Sequence, residues 1–408
     1  MSADQPGLLK NPFVRAILAS ALFLQVGIWI RNFAVLLFIM EQTNGDPFAV
    51  SMISVAEFAP IFIFSFIGGT FADRWRPKRT MIWCDILSAL SVFAVLLALM
   101  VSTWKLVFLA TLISSILSQF SQPSGMKLFK LHLSDSLVQA AMSIYQTIFA
   151  VFMILGPALG TVVYQNLGLY ASIFITGLAF LFSALMLAFI PKDQLADEAE
   201  EKTTLLQEMK SGVRYVWDRK VLKLLGICFM AAGLGIGLIQ PLNIFLVIER
   251  LGLEKENLQW LLMVNGSGMI VGGALAMSFS QKVSPQKMLI MGMLMNAMGI
   301  SVIGLSSNLW LTLGAEFICG LFMPCIQIGI NTMILQNTEG NFIGRVNGIL
   351  MPLFTGSMVV TMSIAGSLMN MFSIVPLYQA AAVLFIIGMI FILPLYHMKS
   401  QASSNAVQ

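Results

Sequence analysis

An all-α membrane protein of twelve transmembrane helices, arranged as two six-helix bundles, is predicted by three features of this 408-residue chain. Hydrophobic residues make up 58% of it and charged residues only 10%, with a mean hydropathy of +0.87. Soluble domains carry about 25% charge. Apolar runs of spanning length recur from end to end with short polar connections, and one longer polar segment, 191–220, lies near the middle. Twelve helix-plus-loop units of 34 residues account for the whole length.

The predicted spans are 13–39, 49–72, 80–101, 105–122, 138–164 and 168–190 in the first half. Those in the second half are 222–247, 258–279, 286–307, 309–334, 344–370 and 374–396. The division between spans 9 and 10 rests on Ser306-Ser307-Asn308 alone. The domain reading is an N-terminal bundle over 1–190, a linker over 191–220, and a C-terminal bundle with a short tail over 221–408. In the linker an acidic cluster precedes Leu205-Leu206-x-x-Met209-x-x-Gly212-x-x-Tyr215-Val216. That spacing predicts an amphipathic helix along the cytoplasmic surface, acting as a tether.

Charge sets the expected topology. With both termini inside, 19 of the 23 Lys and Arg residues fall in cytoplasmic segments or helix feet. Only Lys105, Arg250 and Lys255 fall outside, and Arg31 lies within a span. This asymmetry supports an even number of spans. The net charge of +4 sits in short loops at one face, so it does not indicate a nucleic-acid partner. Cys84, Cys228, Cys319 and Cys325 lie inside apolar runs without metal spacing and read as small buried residues, with no metal site. The first apolar run is too long for a signal-peptide core, so no cleavable signal is expected. No Gly-rich phosphate-binding stretch is present, which disfavours ATP-driven work, and neither an enzymatic activity nor a cofactor is expected.

Five of the seven residues 73–79 are charged and four of them are basic, so this stretch forms a tight cytoplasmic loop between two apolar runs. Gly69-x-x-x-Asp73-Arg74, continued by Arg76, Lys78 and Arg79, resembles the loop between helices 2 and 3 of the major facilitator superfamily, where it acts in gating. The family's glycine two residues after the arginine is replaced here by Arg76, with Pro77 following. Gly69-Thr70-Phe71-Ala72 recurs as Gly273-Ala274-Leu275-Ala276, 204 residues later, in keeping with two related halves. The resemblance implies the major facilitator fold.

Charges inside spans are costly and mark partners or tasks. Arg31 in span 1 and Glu57 in span 2 lie at similar depth and are expected to interact. The pair is either a structural ion pair or a proton- or cation-binding site at Glu57 tuned by Arg31. Asp85, one turn into span 3, is expected near the basic loop, in a relay with Arg74, Arg76 or Arg79 or reaching out to it. Glu316 in span 10 is a proton-coupling candidate with no partner visible in the sequence. His132 and His397 fall outside the spans. Gln25, Asn32, Gln240, Asn243, Asn265, Asn296, Gln327 and Asn331 are cavity-lining candidates, and Pro241 should kink span 7. Gly156-Pro157-Ala158-Leu159-Gly160 resembles the helix 5 motif of drug antiporters and implies close helix contact with a bend.

Several further stretches resemble the bacterial macrolide-efflux-like branch of that superfamily. They are Asn11-Pro12-Phe13, Thr43-Asn44-Gly45-Asp46-Pro47, Gln122-Pro123, Met209-x-x-Gly212-x-x-Tyr215-Val216 and Gly344-Arg345-Val346. The resemblance implies efflux of hydrophobic, including cationic, drugs by proton antiport through alternating access, with antibiotic resistance as the outcome. Lysophospholipid or other lipid transport, or export of siderophores or metabolites, is the alternative. The implied setting is the bacterial inner membrane. The implied partners are membrane lipids and a small amphiphilic substrate, and the implied state is a monomer.

Overall fold

A computed structural model describes residues 11–74, 76–99, 105–190, 205–279, 282–339 and 342–405. Side chains are described for these residues except 65–74, 98, 122, 123, 130, 135, 136, 205–208 and 396–405. No strand occurs among the described residues. A bilayer offers backbone groups no water, so each span must satisfy its own hydrogen bonds as a helix. The helices are α1 Pro12–Gln42, α2 Pro47–Arg74, α3 Pro77–Leu99, α4 Leu106–His132 and α5 Asp135–Ala188. They continue as α6 Leu205–Asp218, α7 Lys220–Ile239, the short α8 Asn243–Phe245 and α9 Leu258–Phe279. The last four are α10 Pro285–Leu305, α11 Leu309–Asn337, α12 Ile343–Phe372 and α13 Ile374–Asn405.

Local chemistry fixes several helix starts. Asn11 Oδ1 accepts from the Phe13 amide at 2.9 Å, with Pro12 at the first helical position. Ser284 and Pro285 repeat the arrangement at α10. Asn308 Oδ1 accepts from the amides of Trp310 and Leu311 at 2.9 and 3.2 Å, which separates α10 from α11 at the expected place. Pro241 does interrupt span 7. α7 stops at Ile239, and a 3₁₀ turn (Gln240–Leu242), α8 and a π-helical turn (Leu246–Arg250) carry the chain onward. The sequence places the end of span 4 at 122, but α4 runs through Pro123 to His132. The extra turns are retained because Leu128 and Phe129 are fully buried in a cluster with Phe13, Ile17 and Leu187.

Compactness divides the chain into Met1–Gly45 with Ala56–Ala199, and Asp46–Val55 with Glu200–Gln408. In the first unit α5 is 54 residues long. At 1.5 Å per residue that is about 80 Å, far more than the ~30 Å hydrocarbon thickness. Gly168 resolves the excess, with φ +74° and ψ −178°. Before it, Gly156, Gly160 and Tyr164 meet Trp29, Phe33 and Glu41 in rising order along α1. After it, Thr176 and Ser183 meet Gly27 and Ser20 in falling order. The two limbs are therefore antiparallel spans, both packed on α1. Eleven helices among the described residues are long and apolar enough to cross a membrane, and α5 supplies two of the twelve spans.

In the second unit α7 packs on α12 and α13, α10 on α11 and α13, and α11 on α9. The amphipathic helix α6 docks on α12. Gly212 lies against the Arg345 carbonyl, and the Tyr215 ring stacks on Phe342 at 4.2 Å with Arg219 3.6 Å above Tyr215. Arg219 also pairs with Glu339 at 2.6 Å. The two stretches around Gly212-x-x-Tyr215 and Gly344-Arg345 are thus one packed joint.

Candidate functional site

Each bundle encloses a largely apolar cavity with a few polar groups in its wall, and each of the three embedded carboxylates lines one of them. In the first unit a cavity of about 230 Å³ is lined by Gln25, Arg31, Glu57, Asp85, Ser118 and Tyr145, among others. Arg31, from α1, is 5% exposed and Asp85, from α3, is 3% exposed. Glu57 projects from α2 and is half-buried. Arg31 and Glu57 do come together, but through Asn32 and not as a direct ion pair. Arg31 Nε and Nη2 donate to Asn32 Oδ1 at 3.1 and 2.9 Å, and Asn32 Nδ2 donates to Glu57 Oε1 at 2.8 Å. An amide therefore separates the two charges, with its oxygen toward the cation and its nitrogen toward the anion.

Asp85 makes no ion pair with Arg76 or Arg79, and the Arg74 side chain lies outside the described residues. Ser183 Oγ donates to Asp85 Oδ2 at 2.6 Å, and Ser20 lies 2.8 Å from Ser183. A hydroxyl has one proton, so with Asp85 ionised Ser20 must donate to Ser183 in turn. The chain Ser20–Ser183–Asp85 links α1, the second limb of α5 and α3 inside the bundle. The register of α3 turns Asp85 inward, while Arg76 and Arg79 stay exposed at its start.

The second unit holds a cavity of about 180 Å³ lined by Gln240, Asn243, Asn265, Asn296, Glu316 and Tyr378, among others. Glu316 gains a partner that the sequence did not reveal. Asn265 Nδ2 donates to Glu316 Oε2 at 2.9 Å and to its backbone carbonyl at 3.3 Å. Glycines make this meeting possible. A Cβ on Gly268 or Gly272 would lie 2.5 or 2.0 Å from the carbonyl oxygens of Phe317 or Leu321, and one on Gly320 would lie 2.0 Å from that of Asn265. The α9 and α11 backbones are in direct contact, and Asn265 is carried to Glu316. Tyr378 donates to Asn243 Oδ1 at 2.7 Å, and Gln240 Oε1 is buried without a partner among the described residues.

Among the described residues no Lys, Arg or His nitrogen lies within 4.0 Å of Glu57, Asp85 or Glu316, and no cluster of metal-ligating side chains occurs. Gln327 and Asn331 are exposed on α11 and line neither cavity. The side chains of Gly69, Asp73, Arg74 and His397 lie outside the described residues. Lys78 donates to the carbonyls of Ala188, at 2.9 Å, and Ile190, capping the end of α5. His132 closes α4 with its ring stacked on Phe13 at 4.7 Å. Gly156 and Gly160 sit where a Cβ would fall 2.3 Å from the Trp29 ring and 2.6 Å from Phe33, so the Gly156-Pro157 segment lies close against α1.

A family model described as Major Facilitator Superfamily matches residues 17–254 and 225–407. The multidrug efflux pump Tap of Mycolicibacterium fortuitum is 26% identical over 76% of this chain and 78% of its own. Macrolide efflux protein A of Streptococcus pyogenes is 23% identical over 78% of this chain and 79% of its own. A solved structure of a mutant of the nucleoside transporter NupG superposes with a TM-score of 0.75 at 12% identity, over 94% of this chain and 99% of that one. At that identity the likeness speaks for the fold alone.

Proposed function

We propose that this chain, which belongs to the Major Facilitator Superfamily and is a multi-pass membrane transporter, exports hydrophobic amphiphiles, cationic drugs among them, by proton antiport. The reading rests on one observation: all three embedded carboxylates are held by neutral donors, Asn32, Ser183 and Asn265. An amide N–H can donate both to a carboxylate and, more weakly, to the carbonyl oxygen of a carboxylic acid. Glu57 and Glu316 can therefore take up or release a proton without losing that partner. Ser183 can reverse its role and accept from a protonated Asp85. A direct ion pair would resist the same step more strongly, because protonation would leave a cation buried alone, and Glu57, one amide from the buried Arg31, meets part of that resistance. The multidrug and macrolide efflux named for Tap and macrolide efflux protein A support the substrate class. Protons are the coupling ion in this reading, no cofactor takes part, and a monomer suffices. The setting is a bacterial cell membrane with both chain ends in the cytoplasm, and export proceeds by alternating access of the two bundles.

The test is uptake of a mixed panel of lipophilic cations, macrolides and lysolipids into proteoliposomes under an imposed proton gradient. The wild type is run beside Glu57→Gln, Asp85→Asn and Glu316→Gln. Gradient-driven uptake of a drug should fall to background in at least one variant, with substrate-triggered proton movement lost in the same one. Wild-type transport indifferent to the gradient would reject antiport. Uptake of lysolipids alone would reject drug export.

A further inference from the structure

The first bundle carries a second concavity, open at its surface between α3 and α4, which holds none of the embedded carboxylates and shares only Cys84 and Leu117 with the cavity around them. We infer that the groove between the start of α3 and the facing part of α4 is a binding site for one anionic phospholipid of the surrounding membrane, its phosphate held by Arg76 and Arg79. The groove has a volume of about 540 Å³ and is lined by Arg76, Arg79, Trp83, Leu87, Leu117 and Phe120, with Thr80 and Cys84 at its floor. That size lies within the range of small-molecule sites, roughly 300–1,000 Å³. Its composition is divided along its length. The two guanidiniums stand at one end, and among the described residues everything beyond them is apolar or aromatic except the buried Thr80.

Helix register produces this division. Arg76, Thr80, Trp83 and Leu87 follow one another at spacings of four, three and four, so they form a single stripe along α3. Trp83 is 61% exposed and Leu87 45% exposed, as suits residues facing lipid. From Arg76 to Leu87 is eleven residues, about 16 Å at the helical rise, which matches half of the ~30 Å hydrocarbon core. A lipid with its phosphate at the arginines would lay one chain along the stripe to about the bilayer midplane. The tryptophan sits below the charges, at the depth where indole rings favour the boundary between headgroups and chains.

Charge selects the occupant. Neither the Arg76 nor the Arg79 guanidinium has a hydrogen-bond or ion-pair partner among the described residues, and both residues are exposed. Lys78 between them is turned away, donating to the end of α5. Paired guanidiniums match phosphate geometry, whereas a cationic drug is repelled and a zwitterionic lipid gains less. A neutral apolar ligand would leave the guanidiniums idle. The inference does not depend on what the protein transports.

The experiment is native mass spectrometry of the full chain, titrated in micelles with phosphatidylglycerol or with phosphatidylcholine of the same chains. The wild type should hold one phosphatidylglycerol in clear preference. Arg76→Gln/Arg79→Gln should weaken that lipid on the order of 30-fold, as two charges near a headgroup imply, and leave phosphatidylcholine unchanged. Arg76→Lys/Arg79→Lys should retain most of the binding. Lys220→Gln/Lys223→Gln, which removes equal charge at the start of α7, should change nothing. Equal retention of the two lipids by the wild type would overturn the inference. So would a preference that survives the glutamine pair, or one lost equally with the Lys220 and Lys223 pair. A second measurement stands independently of the arginine variants. Chain-brominated phosphatidylglycerol should quench a component of wild-type fluorescence that Trp83→Phe lacks, and identical fractional quenching in the two proteins would refute the site.

Discussion

Replacing Gly272 by alanine puts a methyl carbon 2.0 Å from the Leu321 carbonyl oxygen and 2.6 Å from its carbonyl carbon. Ordinary contact begins near 3.4 Å, so α9 and α11 must part by about 1.4 Å or bend. The obstacle is backbone on both sides, so no rotamer change relieves it. Overpacking of this kind costs about 1–3 kcal/mol. Parting the helices also draws Asn265 from Glu316, and a buried hydrogen bond contributes about 1 kcal/mol more. Gly273, the next residue, provides an internal control because nothing lies within 4 Å of its added methyl. There alanine should gain about 0.5–1 kcal/mol in helix propensity. The propensity gain is common to both changes, so the two should differ by about 2–4 kcal/mol, with opposite signs. Thermal unfolding of the purified protein in detergent reads this as midpoints on either side of wild type. A Gly272→Ala protein as stable as wild type, or a Gly273→Ala protein equally damaged, would refute the helix contact.

Gly168→Ala meets no neighbour, yet its φ of +74° with extended ψ suits glycine almost alone, so it should cost about 1–3 kcal/mol from backbone strain. The same unfolding assay checks it, and a neutral result would mean the α5 turn is misplaced. Asn265→Leu should destabilise by about 1–3 kcal/mol by stripping a donor from Glu316, and less in a Glu316→Gln background. A double-mutant cycle with no coupling would separate the two residues. Tyr215→Ala should raise hydrogen exchange across Leu205–Asp218, because it removes a stacked ring and a cation–π contact, each about 0.5–1.5 kcal/mol. Arg219→Gln should act more weakly, at no more than about 1 kcal/mol, since its pair with Glu339 is exposed.

The spans were legible because the bilayer allows so few solutions. An apolar run long enough to cross must be a helix, and Asn308 or Asn11-Pro12 shows where one starts. The end of α4 was not legible, since Gln122-Pro123 reads as a stop while burial of Leu128 and Phe129 extends the helix. The embedded charges were also legible, but their partners were not. Sequence gives the depth of Arg31 and Glu57 and says nothing of rotation about the helix axis, so the intervening Asn32 goes unseen. Ser183 lies 98 residues from Asp85, and Asn265 lies 51 residues from Glu316. Only the assembled bundle brings them together. Glu316-x-x-x-Gly320 opposite Asn265-x-x-Gly268-x-x-x-Gly272 was the one available signal, because glycines on both helices mark where two backbones touch and what lies beside them.

The joint between α6 and α12 changes where the protein can be divided. Read as composition, the leash between the bundles is the whole polar stretch 191–220. With Gly212 and Tyr215 fastened to Arg345 and Phe342, α6 belongs to the second bundle, and the crossing shrinks to the fifteen steps from Ile190 to Leu205. Fully drawn out, fifteen steps reach no farther than about 54 Å. A split version expressed as two polypeptides should therefore be cut ahead of residue 205. A cut behind Asp218 would strand the helix on the wrong piece and leave Phe342 without its stacking partner.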